Sequence, residues 1–199
     1  MFIGRTRELA ALDRLYQSDR FEFAVIYGRR RVGKTTLINQ FINDKKAIYF
    51  MGVESNAKQN LENFSRSILE METGFKAETT FLSFQAALEM VFQLAEHQRL
   101  ILVIDEYPYV ARASASLAST LQLLIDQYKE TSKLMLILCG SSMSYMEDHV
   151  LAYKAPLYGR RTAQMKILPF DFEEVCRCFP GYSAEEQALV YGAVGGTPQ

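Results

Sequence analysis

Residues 28–35 read Gly28-Arg29-Arg30-Arg31-Val32-Gly33-Lys34-Thr35, a full match to the G-x-x-x-x-G-K-[ST] phosphate loop. Gly28 and Gly33 allow the backbone to curl and turn its N–H groups inward, which makes an anion nest at a helix N-terminus. Lys34 supplies a point charge for terminal phosphates and is expected to be exposed in the empty loop, and the Thr35 hydroxyl can ligate Mg²⁺. The run from Gly28 to Thr36 is therefore the expected nucleotide contact. An apolar strand, Phe23-Ala24-Val25-Ile26-Tyr27, runs in and a helical stretch runs out, which is the setting this motif requires.

A second site follows from Leu100-Ile101-Leu102-Val103-Ile104-Asp105-Glu106. Ligands sit beyond the carboxyl ends of buried parallel strands, so Asp105 is expected to face Mg²⁺ and Glu106 to polarise an attacking water. The fourth strand ends in Cys139-Gly140-Ser141-Ser142. Ser141 either reaches between the strand ends to hold that water, or the segment merely turns the chain and caps the next helix. A GTPase would carry an Asn-Lys-x-Asp segment, and Asn43-Asp44-Lys45-Lys46 has the wrong order. A small-molecule kinase rarely places a glutamate beside the magnesium aspartate. ATP hydrolysis is the better reading.

These residues need a sheet to carry them. Five β-rich runs, Phe23–Tyr27, Ala47–Val53, Leu100–Ile104, Leu134–Cys139 and Met165–Leu168, alternate with stretches of helical spacing such as Leu61, Phe64, Ile68 and Met71. Continuous apolar runs at 100–104 and 134–139 are the pattern of strands buried on both faces. The alternation predicts βαβ units and a parallel sheet with helices on both sides. It stops near the end, where Asp171 can cap a short helix and Ser183 with Glu186 has capping-box spacing.

The 199 residues, 49% hydrophobic and 23% charged, suit one globular core with at most a small appendage. Lys+Arg at 22 against Asp+Glu at 23 gives a net charge of -1, without the basic excess of a dedicated nucleic-acid binder. Cys139, Cys176 and Cys178 have no framework spacing and read as reduced structural thiols. The N-terminus lacks a signal peptide's apolar stretch and no run approaches the roughly 20 residues of a membrane span. A cytoplasmic protein is expected.

The order of phosphate loop, strand-Asp-Glu, Gly-Ser-Ser, Leu157-Tyr158-Gly159-Arg160-Arg161 and Leu168-Pro169-Phe170 resembles the archaeal-type ATPase family of the STAND branch, related to AAA+ proteins, over essentially the whole chain. The resemblance implies an α/β/α three-layer P-loop fold with a five-stranded parallel sheet in the order 5-1-4-3-2. It implies an ATPase core at residues 1–170, and at residues 171–199 the start of a small helical lid. Phe2-Ile3-Gly4-Arg5-Thr6-Arg7-Glu8 is similar to the family segment bordering adenine, with Gly4, Arg5 and Glu8 carried over. Gly159-Arg160 resembles the segment that senses the terminal phosphate, sometimes from a neighbouring subunit, and Arg161 is an equal candidate. Gly195-Gly196-Thr197-Pro198 resembles the Gly-x-Pro element whose proline, here Pro198, lies near the base. Relatives continue into a winged-helix domain, so the sequence is expected to be part of a longer protein whose DNA contacts, if any, lie in that further part. The implied activity is Mg²⁺-dependent ATP hydrolysis by a switch or motor module, alone, as a homo-oligomer or with a protein partner. An ATP-gated interaction switch with little hydrolysis is the alternative.

Overall fold

The computed structural model describes residues 3–75 and 79–197. Strands β1 (Glu22–Tyr27), β3 (Leu100–Asp105) and β4 (Leu134–Gly140) are buried at every position. Apolar side chains on both faces can be satisfied only inside the sheet, so these three form its centre. The edges are β2 (Ala47–Met51) and β5 (Ala163–Lys166), whose burial alternates. The order is β2-β3-β4-β1-β5, all parallel, which read from the other edge is the expected 5-1-4-3-2.

Two apolar layers sandwich the sheet. One holds Leu12 of α1 (Thr6–Gln17) and Leu37, Ile38 and Phe41 of α2 (Lys34–Ile42) against Ala24, Ile26, Val103 and Ile137. The other packs α3 (Ala57–Thr73), α4 (Phe84–His97), α5 (Tyr107–Ala113) and α6 (Leu117–Tyr128) on the opposite face, with Phe64, Leu88, Val110 and Leu121 buried. Asn56 and Ser83 cap α3 and α4 through their side chains. After β5 come α8 (Phe172–Cys178) and α9 (Ala184–Val194), each opened by a complete capping box, Asp171 with Glu174 and Ser183 with Glu186. Their neck is narrow: Phe170 donates its N–H to the Gly196 carbonyl at 2.7 Å. A Cβ on Gly196 would lie 2.0 Å from the Phe170 carbonyl oxygen.

Two strand boundaries differ from expectation. The last strand spans Ala163–Lys166 rather than 165–168, because it pairs with Ala24–Tyr27 and the chain then leaves the sheet with Leu168 59% exposed. The second strand ends at Met51 rather than Val53. Short helices, α5 and α7 (Met143–Met146), and a π-helical turn at Glu147–Leu151 occupy segments too brief to show an apolar stripe. Among the described residues no helix is long and apolar enough to cross a membrane, and the three cysteines are free.

Arg99 fastens the sheet at the end where the strands begin. Its guanidinium donates to the carbonyls of Leu15 at 2.6 Å, Lys133 at 2.9 Å and Arg20. Arg99→Ala strands these acceptors and is expected to lower the unfolding free energy by about 2–3 kcal/mol, measured by urea denaturation, with no change in nucleotide affinity at saturating fold.

Candidate nucleotide-binding site

The loop begins where β1 ends. A Cβ on Gly28 would sit 2.2 Å from the Ile167 carbonyl oxygen, so only glycine allows the loop to pass this close to the exit of β5. Gly33 at φ 87° caps α2, and Arg31 also takes a left-handed conformation, at φ 65°. Val32 is buried in the core and anchors the loop from below, while Arg29 points to solvent. Lys34 differs from expectation. It is only 6% exposed, and Nζ donates to the carbonyls of Gly28 and Arg29 at 2.8 Å each. An ammonium with three donors and no phosphate nearby satisfies itself on the nearest acceptors. The third N–H of the ammonium makes no hydrogen bond among the described residues, and Lys34 lines the cavity described below.

Asp105, 1% exposed, closes β3. Its Oδ2 accepts from Thr35 Oγ1 at 2.9 Å and from the Tyr49 hydroxyl at 2.7 Å, and its Oδ1 accepts from the Glu106 N–H at 2.8 Å. Burial, then the Asp105 hydrogen bond and charge, push the Tyr49 phenol pKa up, and burial beside Asp105 does the same for the Cys139 thiol. Both therefore stay neutral. A hydroxyl and a carboxylate in direct contact are hard oxygen ligands, which fits Mg²⁺. Among the described residues no three or more His, Cys, Asp or Glu side chains could hold a metal by themselves. A Mg²⁺ that arrives with nucleotide phosphates needs one or two protein ligands.

Glu106 turns the chain from β3 into α5 in a left-handed conformation, φ 49°. Its Oε2 accepts from Ser141 Oγ at 2.9 Å and from the Ser141 N–H at 3.3 Å. Ser141 thus reaches between the strand ends and grips the carboxylate, and Ser142 rather than Ser141 occupies the N-cap of α7. A cavity of about 480 Å³ joins these groups, lined by Arg30, Arg31, Gly33, Lys34, Thr35, Thr36, Glu106 and Ser141. Beside it a cavity of about 640 Å³ lies between the loop arginines and α8–α9, with Phe170, Val175, Phe179, Val194 and Thr197 in its wall.

Other expected contacts are placed elsewhere. Arg5 is 6% exposed and spends its guanidinium on the protein: Nη2 donates to Val32 O at 3.1 Å and Leu168 O at 2.5 Å, Nη1 meets Glu8 at 3.4 Å, and the group lies 4.6 Å from the Phe170 ring centroid. It clamps the loop to the segment after β5 and is absent from the lining of the 640 Å³ cavity. Gly4 packs against Glu174 and Phe170 rather than opening on that cavity. Pro198 lies outside the described residues. Arg160, expected to sense the terminal phosphate of its own or a neighbouring chain, is placed away from its own loop. It precedes β5, which begins level with Ala24, at the end of the sheet opposite the loop. There it is forked onto Asp126, Nε–Oδ1 2.9 Å and Nη2–Oδ2 2.5 Å. This contact holds the Asp126 carboxyl below its usual pKa. Arg161 lies over Tyr158 in the same segment.

Tyr49 and the Arg5 clamp were not legible from sequence. A tyrosine in an edge strand reads as an ordinary strand residue, and only the sheet register brings it to Asp105, 56 positions away.

Comparison with known proteins agrees with this geometry. The model of a family described as an ATPase domain predominantly from Archaea matches residues 2–199. The Methanocaldococcus jannaschii protein MJECL04, itself uncharacterized, is 37% identical over 198 residues, covering 100% of this chain and 43% of its own length. The chain thus spans less than half of that relative. The fold is similar to the Walker-type ATPase PABY2304 of Pyrococcus abyssi, TM-score 0.71 at 23% identity over 99% of this chain and 65% of that one. It is also similar to the STAND protein PH0952 of Pyrococcus horikoshii, which carries a tetratricopeptide repeat sensor, TM-score 0.57 at 16% identity over 99% and 28%. With sheet order, loop and strand-end acids in agreement and the family model matched along residues 2–199, the chain belongs to the family of ATPase domains found predominantly in Archaea.

Proposed function

We propose that this chain binds ATP with Mg²⁺ and hydrolyses it as the switch or motor module of a STAND- or AAA-type ATPase. The observation that carries the reading is one cavity lined by Lys34, Thr35, Ser141 and the Glu106 that Ser141 holds, with Asp105 buried directly behind Thr35. Mg²⁺, when bound, neutralises charge on the terminal phosphates. Thr35 and Asp105 hold it, and the loop N–H groups with Lys34 bind phosphate oxygens. Glu106 accepts the proton of the attacking water, and Ser141 fixes the carboxylate oxygen that it grips. Residues 171–197 act as the lid, whose apolar cavity wall takes adenine, in a thiol-reducing cytoplasm.

A second reading, an ATP-gated interaction switch with slow hydrolysis, draws on α9. No residue of that helix is buried, so it can change position at little loss of packing. Partners would then be a second copy of the chain or another protein. A single-turnover hydrolysis measurement, with and without added partner proteins, separates the readings.

Lys34→Ala is expected to abolish most nucleotide affinity in a fluorescent-ATP titration. Because the Gly28 and Arg29 carbonyls also lose their donor, its thermal unfolding should register a loss of about 1–3 kcal/mol. Glu106→Gln keeps its shape and its place beside Ser141 but cannot take up a proton. It should bind ATP normally and turn it over roughly 10²- to 10⁴-fold more slowly, whereas Asp105→Asn should weaken binding only when Mg²⁺ is present. An E106Q chain that hydrolyses at the parent rate refutes the assignment. In competition against labelled ATP, GTP should be the poorer ligand, since the 640 Å³ cavity offers mostly apolar wall and the chain carries no guanine-reading segment.

A further inference from the structure

Arg30 is the one residue common to the linings of three neighbouring cavities among the described residues. It lines the phosphate cavity, the cavity under α8–α9, and a third of about 280 Å³ beside Glu106, Tyr109, Arg112, Ser141 and Ser142. Its Nη2 donates to the Tyr109 hydroxyl at 2.8 Å. Tyr109 lies in the first turn of α5, where its N–H bonds the Glu106 carbonyl at 3.0 Å. The turn that sets the direction of Glu106 therefore also sets the reach of Arg30.

Resting on the ATPase reading above, we infer that Arg30 is a catalytic arginine that acts within its own chain, held by Tyr109 beside Glu106 to stabilise charge on the phosphoryl group being transferred. In that step the water oxygen bonds to the γ-phosphorus and its proton passes to Glu106. The bond from the γ-phosphorus to the β–γ bridging oxygen breaks, and ADP leaves with the electron pair. Negative charge grows on the γ-oxygens and on the bridging oxygen, and a planar guanidinium can donate to more than one of them.

The choice of partner matters. A phenol hydroxyl orients the guanidinium without neutralising it, and among the described residues no carboxylate lies within ion-pair distance of Arg30. Its charge is thus not neutralised by a neighbour, and the Tyr109 contact directs an otherwise exposed side chain along the cavity walls. The other arginines do not share this. Arg160 is committed to Asp126 at the far end of the sheet, Arg112 stacks on Tyr145 with Cζ 4.9 Å from the ring centroid, and Arg29 lines none of the three cavities. Arg31 lines the phosphate cavity but has no partner on α5 among the hydrogen bonds of the described residues.

The test compares parent, Arg30→Ala, Arg30→Lys and Tyr109→Phe in single-turnover hydrolysis of Mg·ATP, ADP titration, and retention of ADP in the presence of Mg²⁺ and aluminium fluoride, which mimics the transferred group. Arg30→Ala should lower the rate by about 10³-fold, the lower end of a catalytic arginine's contribution. It should keep ADP affinity within about threefold and lose the fluoride-dependent retention, with Arg30→Lys falling between it and the parent. Tyr109→Phe, a positioning change, should cost about tenfold in rate and weaken retention without altering ADP affinity. The parent's rate per chain should not depend on concentration. An Arg30→Ala chain with parental rate and retention overturns the assignment. So does one whose rate falls only in step with ADP affinity, or one that regains activity when mixed with Lys34→Ala chains. If Arg30→Ala fails to fold by circular dichroism, an unchanged Tyr109→Phe overturns it equally. A parent that binds no ATP overturns the ATPase reading itself, whereas a parent that hydrolyses beside an equally active Arg30→Ala overturns this inference alone.

Discussion

A carboxylate removed from water must be met by donors, and the buried Asp105 imposes that requirement on three segments at once. Thr35 answers from the first turn of α2, Tyr49 from the edge strand β2, and the Glu106 N–H from the start of α5, while Asp105 itself ends β3. Each donor reaches it only if its own element is in register. The strand pairing that sets Met51 against Asp105 is therefore also what levels Tyr49 with the catalytic end of the sheet. The site is the place where the sheet's polar accounting closes.

The positive side of the site is organised differently. Lys34 is folded onto loop carbonyls, and Arg5 is locked between the loop and the segment after β5. Arg30 and Arg31 remain on the cavity wall. Cations that shape the loop are thus buried and hydrogen-bonded to carbonyls, whereas those that face the cavity are exposed. Lys34 is intermediate, buried and bonded to carbonyls through two of its three donors yet part of the cavity lining.

The phosphate loop and the Asp105–Glu106 pair were legible because their chemistry depends on spacing along a continuous stretch of chain. The central strands were legible because burial on both faces leaves an unbroken apolar run. What escaped reading was set by contacts far apart in sequence. Tyr49 meets Asp105 across the sheet, and Arg5 meets Leu168 across 163 positions. The order of motifs that points to Arg160 carries no information about which end of the sheet its segment occupies. The edge strand β5 was misplaced by two residues because its register is fixed by β1, not by its own apolar pattern. Seven residues of α5 are too few to display a period, although they aim both Glu106 and Tyr109.

The chain enters and leaves the α8–α9 hairpin at one spot, where the Phe170 N–H meets the Gly196 carbonyl at 2.7 Å. A hairpin that follows β5 through one short segment, with its far end bonded back to that segment, can turn about it as a unit. The 11 residues of α9 give it a lever arm of about 16 Å at 1.5 Å per residue. A swing of roughly 10° at the neck therefore moves the far end by about 3 Å, close to the thickness of an aromatic ring. Because a side chain at Gly196 has no room beside the Phe170 carbonyl, glycine there is what keeps the two ends of the hairpin in contact.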